Sequence, residues 1–302
     1  MPRMTVALAM ACAAALLAFA PRAAAGTSTV LVRGTASVTD PGERAYAGRV
    51  ADRVARWLQD EGVPVTTVSD EQVAGGLPSD ARVAVLPYNP QPSPAEVRQL
   101  TAWLRRGGRL IVCYSSSTEL ADAMGMRLGD YRSEQLPGRW NAFRFLPGAP
   151  AVVPPVVRQS SRNIRVAAPA DGRSRTIAVW EDDAGRPTGD PAWVQSPQGF
   201  WMSHILLDAT DVAAKRRLLL ALVAACDPSA WAPAARHLAR RAGALWPDTD
   251  LSVAMVQFAK MPYDELPVVD DKEHNSVIGI ISRQDLLSAY NIRLTQMRSG
   301  KS

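Results

Sequence analysis

The sequence predicts an α/β protein built on a parallel sheet flanked by helices, and three observations carry that expectation. Short apolar runs bounded by turn residues alternate with amphipathic helical stretches over residues 28–125. Gly107-Gly108 closes one helical pattern, and Arg109–Tyr114 then runs apolar through Leu110, Ile111, Val112 and Cys113. Ser115, Ser116, Ser117 and Thr118 follow and open another helix, so this run reads as a central strand. Sheets of this kind place their sites outside the carboxyl edge of the strands, here Tyr114–Ser117.

Each element follows in order. Ser28–Arg33 is a buried strand, and Gly34–Thr39 is the loop at its carboxyl edge. Asp40 precedes Pro41 as an N-cap before proline at the first helical position, and the helix runs to Gly62. It carries Ala45, Val50, Val54, Trp57 and Leu58 on one face. Val63–Val68 and Arg82–Leu86 are further strands, the second ending in Pro87-Tyr88-Asn89-Pro90. Ser93-Pro94 caps a helix through Arg106 with Val97, Leu100, Trp103 and Leu104 inward. Strands alternating with helices imply parallel pairing through right-handed crossovers.

After Gly125 the pattern changes to short strand candidates separated by Pro/Gly turns: Phe143–Phe145, Val152–Val157, Asn163–Val166, Arg175–Trp180, Ala192–Gln195 and Gly199–Leu207. These read as mixed or antiparallel additions beside the sheet. Asp208–Asp227 is a strong amphipathic helix and Ser229–Ala242 a further one, rich in Ala and Arg. Composition shifts near Trp246. The first 250 residues hold a single lysine, Lys215, whereas Lys260, Lys272 and Lys301 fall in the last 52, where isoleucine is also denser. The expected organisation is therefore 1–25 signal peptide, 26–228 α/β domain, 229–246 helical linker and 247–302 a small α+β module.

The net charge of +5 is mild for 302 residues, and the basic residues are spread without interleaved aromatics. That pattern is a solvated surface, and no nucleic-acid partner is expected. Residues 1–25 combine Arg3, an apolar run Val6–Ala20 and small residues Ala23-Ala24-Ala25, the pattern of a secretory signal peptide. That run is shorter than the roughly 20 residues a spanning helix needs, so no membrane span is expected after cleavage. The mature chain is expected in a secreted or periplasmic compartment with two cysteines, Cys113 and Cys226. They either pair or stay as buried thiols on a strand and a helix, the second being the expectation. His204, His237 and His274 are far apart, and no Cys/His spacing suggests a metal site.

The order strand–helix–strand–strand–helix–strand–turn–helix, closing with GFWMSHILLDATDVAAKRRLLLALVAACDP, resembles the degenerate class I glutamine-amidotransferase-like domains, whose sheet is flavodoxin-like. In particular it is similar to those at the N-terminus of exported glycoside-hydrolase-family-10-like proteins, over about residues 28–245. An active member presents its nucleophile in a Gly-x-Cys-x-Gly turn, because a strained backbone needs small neighbours. Cys113 stands at that place between Val112 and Tyr114, without either glycine. His204 stands where the base belongs, in Ser203-His204-Ile205, without the family's Pro and Glu. The resemblance implies a non-catalytic accessory domain with a carbohydrate or protein partner. The alternative is a divergent amidohydrolase using Cys113 and His204. Ser115, Ser116 and Ser117 read as edge residues and a helix cap. Glu181-Asp182-Asp183 reads as a polar turn. Trp140, Phe143, Trp180, Trp193 and Trp201 are either core or, on such a domain, sugar-stacking aromatics, with core the expectation.

The stretch PDTDLSVAMVQFAKMPYDELPVVDDKEHNSVIGIISRQDLLSAYN, residues 247–291, resembles one CBS repeat, closest to those of bacterial chloride channels. The residues read the same way unaided. Thr249 or Asp250 caps a helix with Leu251, Ala254, Met255 and Phe258 on one face. Glu265–Val269 is a strand, Asp270–Asn275 a hairpin turn, Val277–Ser282 a second strand, and Arg283–Tyr290 begins a second helix. The resemblance implies an adenosine nucleotide, AMP or ATP, bound between paired repeats. Ser282 and Asp285 would hold ribose or phosphate, Arg283 would reach a phosphate, and Pro267 and Val268 would flank the base. The local reading is a capping box, with Ser282 the N-cap and Asp285 its third-position partner. A single repeat needs a second chain to complete the cleft, so a homodimer is implied. The short strand expected before Pro247 is replaced by Arg241–Trp246, which reads as the tail of the preceding domain. A usually cytosolic CBS repeat conflicts with a secretory signal.

Overall fold

The structure, a computed structural model, describes residues 28–150, 152–242, 245–260, 265–269 and 277–299. The expected signal segment 1–25 and the turn expected over Asp270–Asn275 lie outside them. The described residues divide into two compact units between Ala230 and Trp231.

The first unit opens with the predicted alternation: β1 (Thr29–Arg33), α1 (Pro41–Asp60), β2 (Val65–Ser69), α2 (Asp70–Ala74), β3 (Val83–Leu86), α3 (Pro94–Arg105), β4 (Arg109–Val112) and α4 (Thr118–Ala123). β2, β1, β3 and β4 lie side by side and parallel. The caps are those the sequence names. The Asp40 carboxylate accepts from Glu43 N at 2.7 Å ahead of Pro41, and Ser93 Oγ accepts from Glu96 N at 3.2 Å.

The second half of this unit adds β5 (Met126–Ser133), β6 (Trp140–Phe145), β7 (Val156–Ser161), β8 (Asn163–Pro169), β9 (Arg175–Glu181), β10 (Pro187–Ser196), β11 (Gly199–Met202) and α5 (Val212–Cys226). The large sheet has nine strands in the order β2-β1-β3-β4-β11-β10-β9-β6-β7, while β5 and β8 pair separately. β11 joins β4 in parallel, and every pairing beyond it is antiparallel. Gly199 makes that junction possible. Its φ is +135°, and a Cβ there would sit 1.9 Å from Leu110 O, so no other residue fits so close to β4.

Three strand expectations shift, each for a local reason. The strand expected over Val152–Val157 forms at Val156–Ser161, because Pro154 and Pro155 have no N–H for a ladder. The strand expected over Gly199–Leu207 ends at Met202, where Ser203 N turns to Ala192 O and Ser203 Oγ accepts the Trp180 indole N–H at 2.7 Å. The Ala192–Gln195 candidate is the end of a longer, bulged β10. Two elements were not anticipated, α2 and β5. α2 is a single turn closed by a reciprocal capping box between Ser69 and Gln72.

The aromatics of the added strands are core. Trp140, Phe143, Trp180, Trp193 and Trp201 are at most 1% exposed, which removes them as sugar-stacking residues. Core also forms between the parallel strands and α3, with Val30, Ala84, Leu100, Leu110 and Val112 fully buried. Arg216 on α5 bonds Glu61 at 2.8 Å, which fixes α5 against the end of α1.

The second unit contains α6 (Trp231–Ala242), α7 (Leu251–Lys260), β12 (Glu265–Val269), β13 (Val277–Ser282) and α8 (Arg283–Ser299). β12 and β13 form their own antiparallel pair, separate from the nine-stranded sheet. Leu245, Leu251, Ala254, Phe258, Leu266, Val268, Ile281, Leu286 and Ala289 make a small independent core. One expectation is corrected here. Leu245 forms a parallel bridge to Val268, with Leu245 N donating to Pro267 O at 3.1 Å and Val269 N to Leu245 O at 2.9 Å. The short strand before Pro247 is therefore present as a single bridge and belongs to this unit.

Candidate functional site

Loops from β1, β3 and β4 and the residues opening α2 and α3 converge at the carboxyl edge of the parallel strands. Gly34 lies so close to Asn89 that a Cβ would stand 2.7 Å from the Asn89 side chain. Asp70 is buried and accepts from Ala36 N, Ser37 N and Ser37 Oγ at 3.0–3.1 Å. The amides that loops of this position elsewhere turn on an anion are here turned on the chain's own carboxylate. Asn89 Nδ2 donates to Glu96 Oε1 at 2.5 Å, and both residues are fully buried. Asn89 Oδ1 and Glu96 Oε2 have no hydrogen-bond partner among the described residues. Burial, with Asp70 nearby, pushes the Glu96 carboxyl up to about 8, so it carries its proton at neutral pH. The three serines serve the backbone. Ser115 Oγ accepts from Ser117 N, Ser116 Oγ donates to Pro90 O, and Ser117 Oγ caps α4 through Leu120 N.

Cys113 directly follows β4, with Cys113 N bonded to Leu86 O at 2.9 Å. Its side chain is fully buried, and burial pushes the thiol up to about 12. A nucleophile elbow needs a strained turn at the nucleophile. Among the described residues the only non-glycine with positive φ is Asp211, so Cys113 lacks the strained left-handed backbone of an elbow. His204 Nδ1 lies 2.9 Å from Ile205 O and 3.4 Å from Gln159 Nε2 and Ser161 Oγ. Burial lowers its pKa to about 4. No hydrogen bond joins Cys113 and His204 among the described residues. Cys113 and Cys226 are both free thiols.

In the second unit the residues at the β13–α8 junction come together. Asp285 Oδ2 accepts from Ser282 N at 3.0 Å and Ser282 Oγ at 2.7 Å, while Asp285 N donates to Ser282 Oγ at 3.1 Å. That is the reciprocal capping box, and its hydrogen bonds hold the Asp285 carboxyl below its usual range. Arg283 donates to Phe258 O at 3.1 Å, with its guanidinium 5.8 Å from the Phe258 ring centroid. Pro267 and Val268 are buried in β12. The Asp285 carboxylate is exposed, and Oδ1 is not used by the box.

Among the described residues no group of three or more His, Cys, Asp or Glu could hold a metal ion, and no helix is long and apolar enough to cross a membrane.

Residues 239–292 match the family model described as the CBS domain, so the chain is a mixed α/β protein with a C-terminal CBS domain. No curated protein matches the chain. Among solved structures it is similar to a cold-adapted β-galactosidase from Rahnella sp. R3, at 16% identity and a TM-score of 0.49, covering 65% of this chain and 31% of that one. It is similar to a GMP synthase-type protein from Thermoplasma acidophilum, at 10% identity and a TM-score of 0.44, covering 68% and 97%. A ThuA-like protein from Bacteroides uniformis gives 12% identity and 0.47, covering 68% and 94%. The chain spans about a third of the length of the β-galactosidase it matches.

Sequence reasoning missed the Asp70, Asn89 and Glu96 cluster. Pro87-Tyr88-Asn89-Pro90 at the end of a strand was the available signal, since polar residues between two prolines there face the productive edge. Glu96 was hidden because Ser93-Pro94-Ala95-Glu96 has the spacing of a capping box, and the structure takes its side chain to Asn89 instead.

Proposed function

We propose that the chain is a non-catalytic, exported accessory protein whose CBS repeat pairs with a second copy and takes AMP or ATP in the pair. One observation carries the pairing. Of the ten large apolar side chains exposed among the described residues, seven belong to the smaller unit: Trp231, Val253, Val256, Ile278, Ile280, Leu287 and Tyr290. They are patterned. Val253 and Val256 share a face of α7, Leu287 and Tyr290 share a face of α8, and Ile278 and Ile280 point to one side of β13. Exposed apolar surface concentrated this way marks an interaction face. CBS domains commonly pair and are known for adenosine-nucleotide binding, and the pairing would close a cleft at the β13–α8 junction. There the exposed Asp285 carboxylate faces ribose hydroxyls and Ser282 flanks it. Arg283 exchanges the Phe258 carbonyl for phosphate.

The accessory reading of the first unit is supported by Cys113 and His204. A buried thiol held up at about 12, with no hydrogen bond to the imidazole, is not an activated nucleophile. Titration calorimetry of the full chain with ATP and AMP tests the nucleotide assignment. Binding that Asp285→Ala abolishes is the expected result, with Asp285→Asn retaining the fold and part of the affinity. No heat from either nucleotide at millimolar concentration would overturn it.

A further inference from the structure

Three tyrosines from three elements form a row at the carboxyl edge of the parallel strands: Tyr46 on α1, Tyr88 after β3 and Tyr114 after β4. The Tyr46 and Tyr88 ring centroids are 5.8 Å apart at 72°, and those of Tyr88 and Tyr114 are 5.5 Å apart at 47°. All three rings are half-buried. The row is fixed in place. The Tyr88 hydroxyl donates to Glu43 Oε1 at 2.8 Å, and the Arg49 guanidinium lies 5.7 Å from the Tyr46 centroid. Asn89 N donates to Tyr114 O at 3.1 Å.

We propose that this row is a binding platform for a neutral saccharide. The neighbouring loops exclude an anion. The Ala36 and Ser37 amides are taken by Asp70, Ser117 caps α4, and Ser116 is held by Pro90. The Glu43 carboxylate, which holds the Tyr88 hydroxyl, repels a phosphate placed there. A bare cation meets Arg49 already over Tyr46. A wholly apolar ligand would strip water from the Glu43 carboxylate with nothing in return. A sugar ring matches what remains. Because neighbouring rings are inclined at 72° and 47°, its C–H face packs on one tyrosine and its rim meets the next, while its hydroxyls donate to Glu43 and accept from Arg49. Rings held by Glu43 and Arg49 lose little freedom on binding. The position agrees with the rule that open α/β sheets bind at this edge. The proposal deepens the accessory reading, resting on it only in that the first unit binds its ligand without turning it over.

Saturation-transfer NMR and calorimetry on the full chain test it, with cellobiose, xylobiose, lactose, maltose and mannobiose as probes. Inorganic phosphate and tetramethylammonium serve as charged competitors. Binding of at least one disaccharide is expected. Tyr46→Ala and Tyr114→Ala should each weaken it about tenfold, the loss of one stacked ring. Tyr114→Phe keeps the ring and should keep the affinity, which separates contact from folding. The platform is overturned if no disaccharide receives saturation, if binding survives both alanine variants, or if phosphate or tetramethylammonium displaces the sugar. Disaccharide cleavage, read by chromatography, would overturn the accessory reading while leaving the platform standing. Absence of sugar binding leaves CBS pairing untouched.

Discussion

Glu96→Gln isolates the energetics of the buried cluster at the sheet edge. In the folded chain Glu96 holds its proton up to about pH 8, against 4.5 for a free carboxyl. The sign follows from linkage. Below 4.5 both states are protonated and the group contributes no pH dependence. Between 4.5 and 8 the unfolded chain has released the proton and the folded chain has not, so stability falls as pH rises. Above 8 both are ionised and the full penalty is present. At pH 7 the difference amounts to about 3 kcal/mol, from about 1.4 kcal/mol per unit over the interval from 4.5 to 7. Glutamine keeps an oxygen for Asn89 Nδ2 and places a neutral N–H₂ where the acid hydroxyl stands, so it mimics the protonated form at every pH. Denaturant unfolding followed by circular dichroism at pH 5 and pH 8 reads the effect. Wild type and variant should be nearly equal at pH 5, and the variant should be more stable by about 3 kcal/mol or more at pH 8. Other titrating groups cancel in the difference. A gap that does not change with pH, or a variant less stable throughout, would refute the burial argument.

Other predictions follow from the same geometry. A thiol reagent at pH 8 should leave Cys113 unmodified in the native chain and label it after denaturation, and His204→Ala should not change the native rate, because burial and not a base controls this thiol. Ser282→Ala should lower the stability of the second unit by about 1 kcal/mol through loss of the cap on α8, as read by thermal melting. Trp180→Phe keeps an aromatic ring but removes the indole N–H that Ser203 Oγ accepts and part of a fully buried side chain, and should reduce stability by about 2 kcal/mol or more in denaturant unfolding.

The first half of the fold was legible because its signals are local. Asp40-Pro41, Ser93-Pro94 and the apolar runs at β1, β3 and β4 fix their elements without distant contacts. The second half was less so. β11 takes its place beside β4 across some 90 intervening residues, and nothing within Gly199–Met202 announces a parallel partner. Only the glycine, required by the approach to Leu110 O, hints at it. The tryptophans were ambiguous for the opposite reason, since strand cores and sugar platforms use the same residues. The platform tyrosines went unread because each belongs to a different element. At the β13–α8 junction the spacing of Ser282 and Asp285 points both to a cap and to a nucleotide contact, and the cap is present. That spacing serves helix capping and nucleotide contact equally, so it could not decide between them.

Sedimentation velocity of the full chain, with Ile280→Asp and Val256→Asp beside it, tests the pairing of CBS repeats most directly. The exposed apolar faces of α7 and β13 predict a dimer that both substitutions convert to monomer without loss of helical signal. A wild-type chain that sediments as a monomer at tens of micromolar, or a dimer indifferent to both changes, would contradict it.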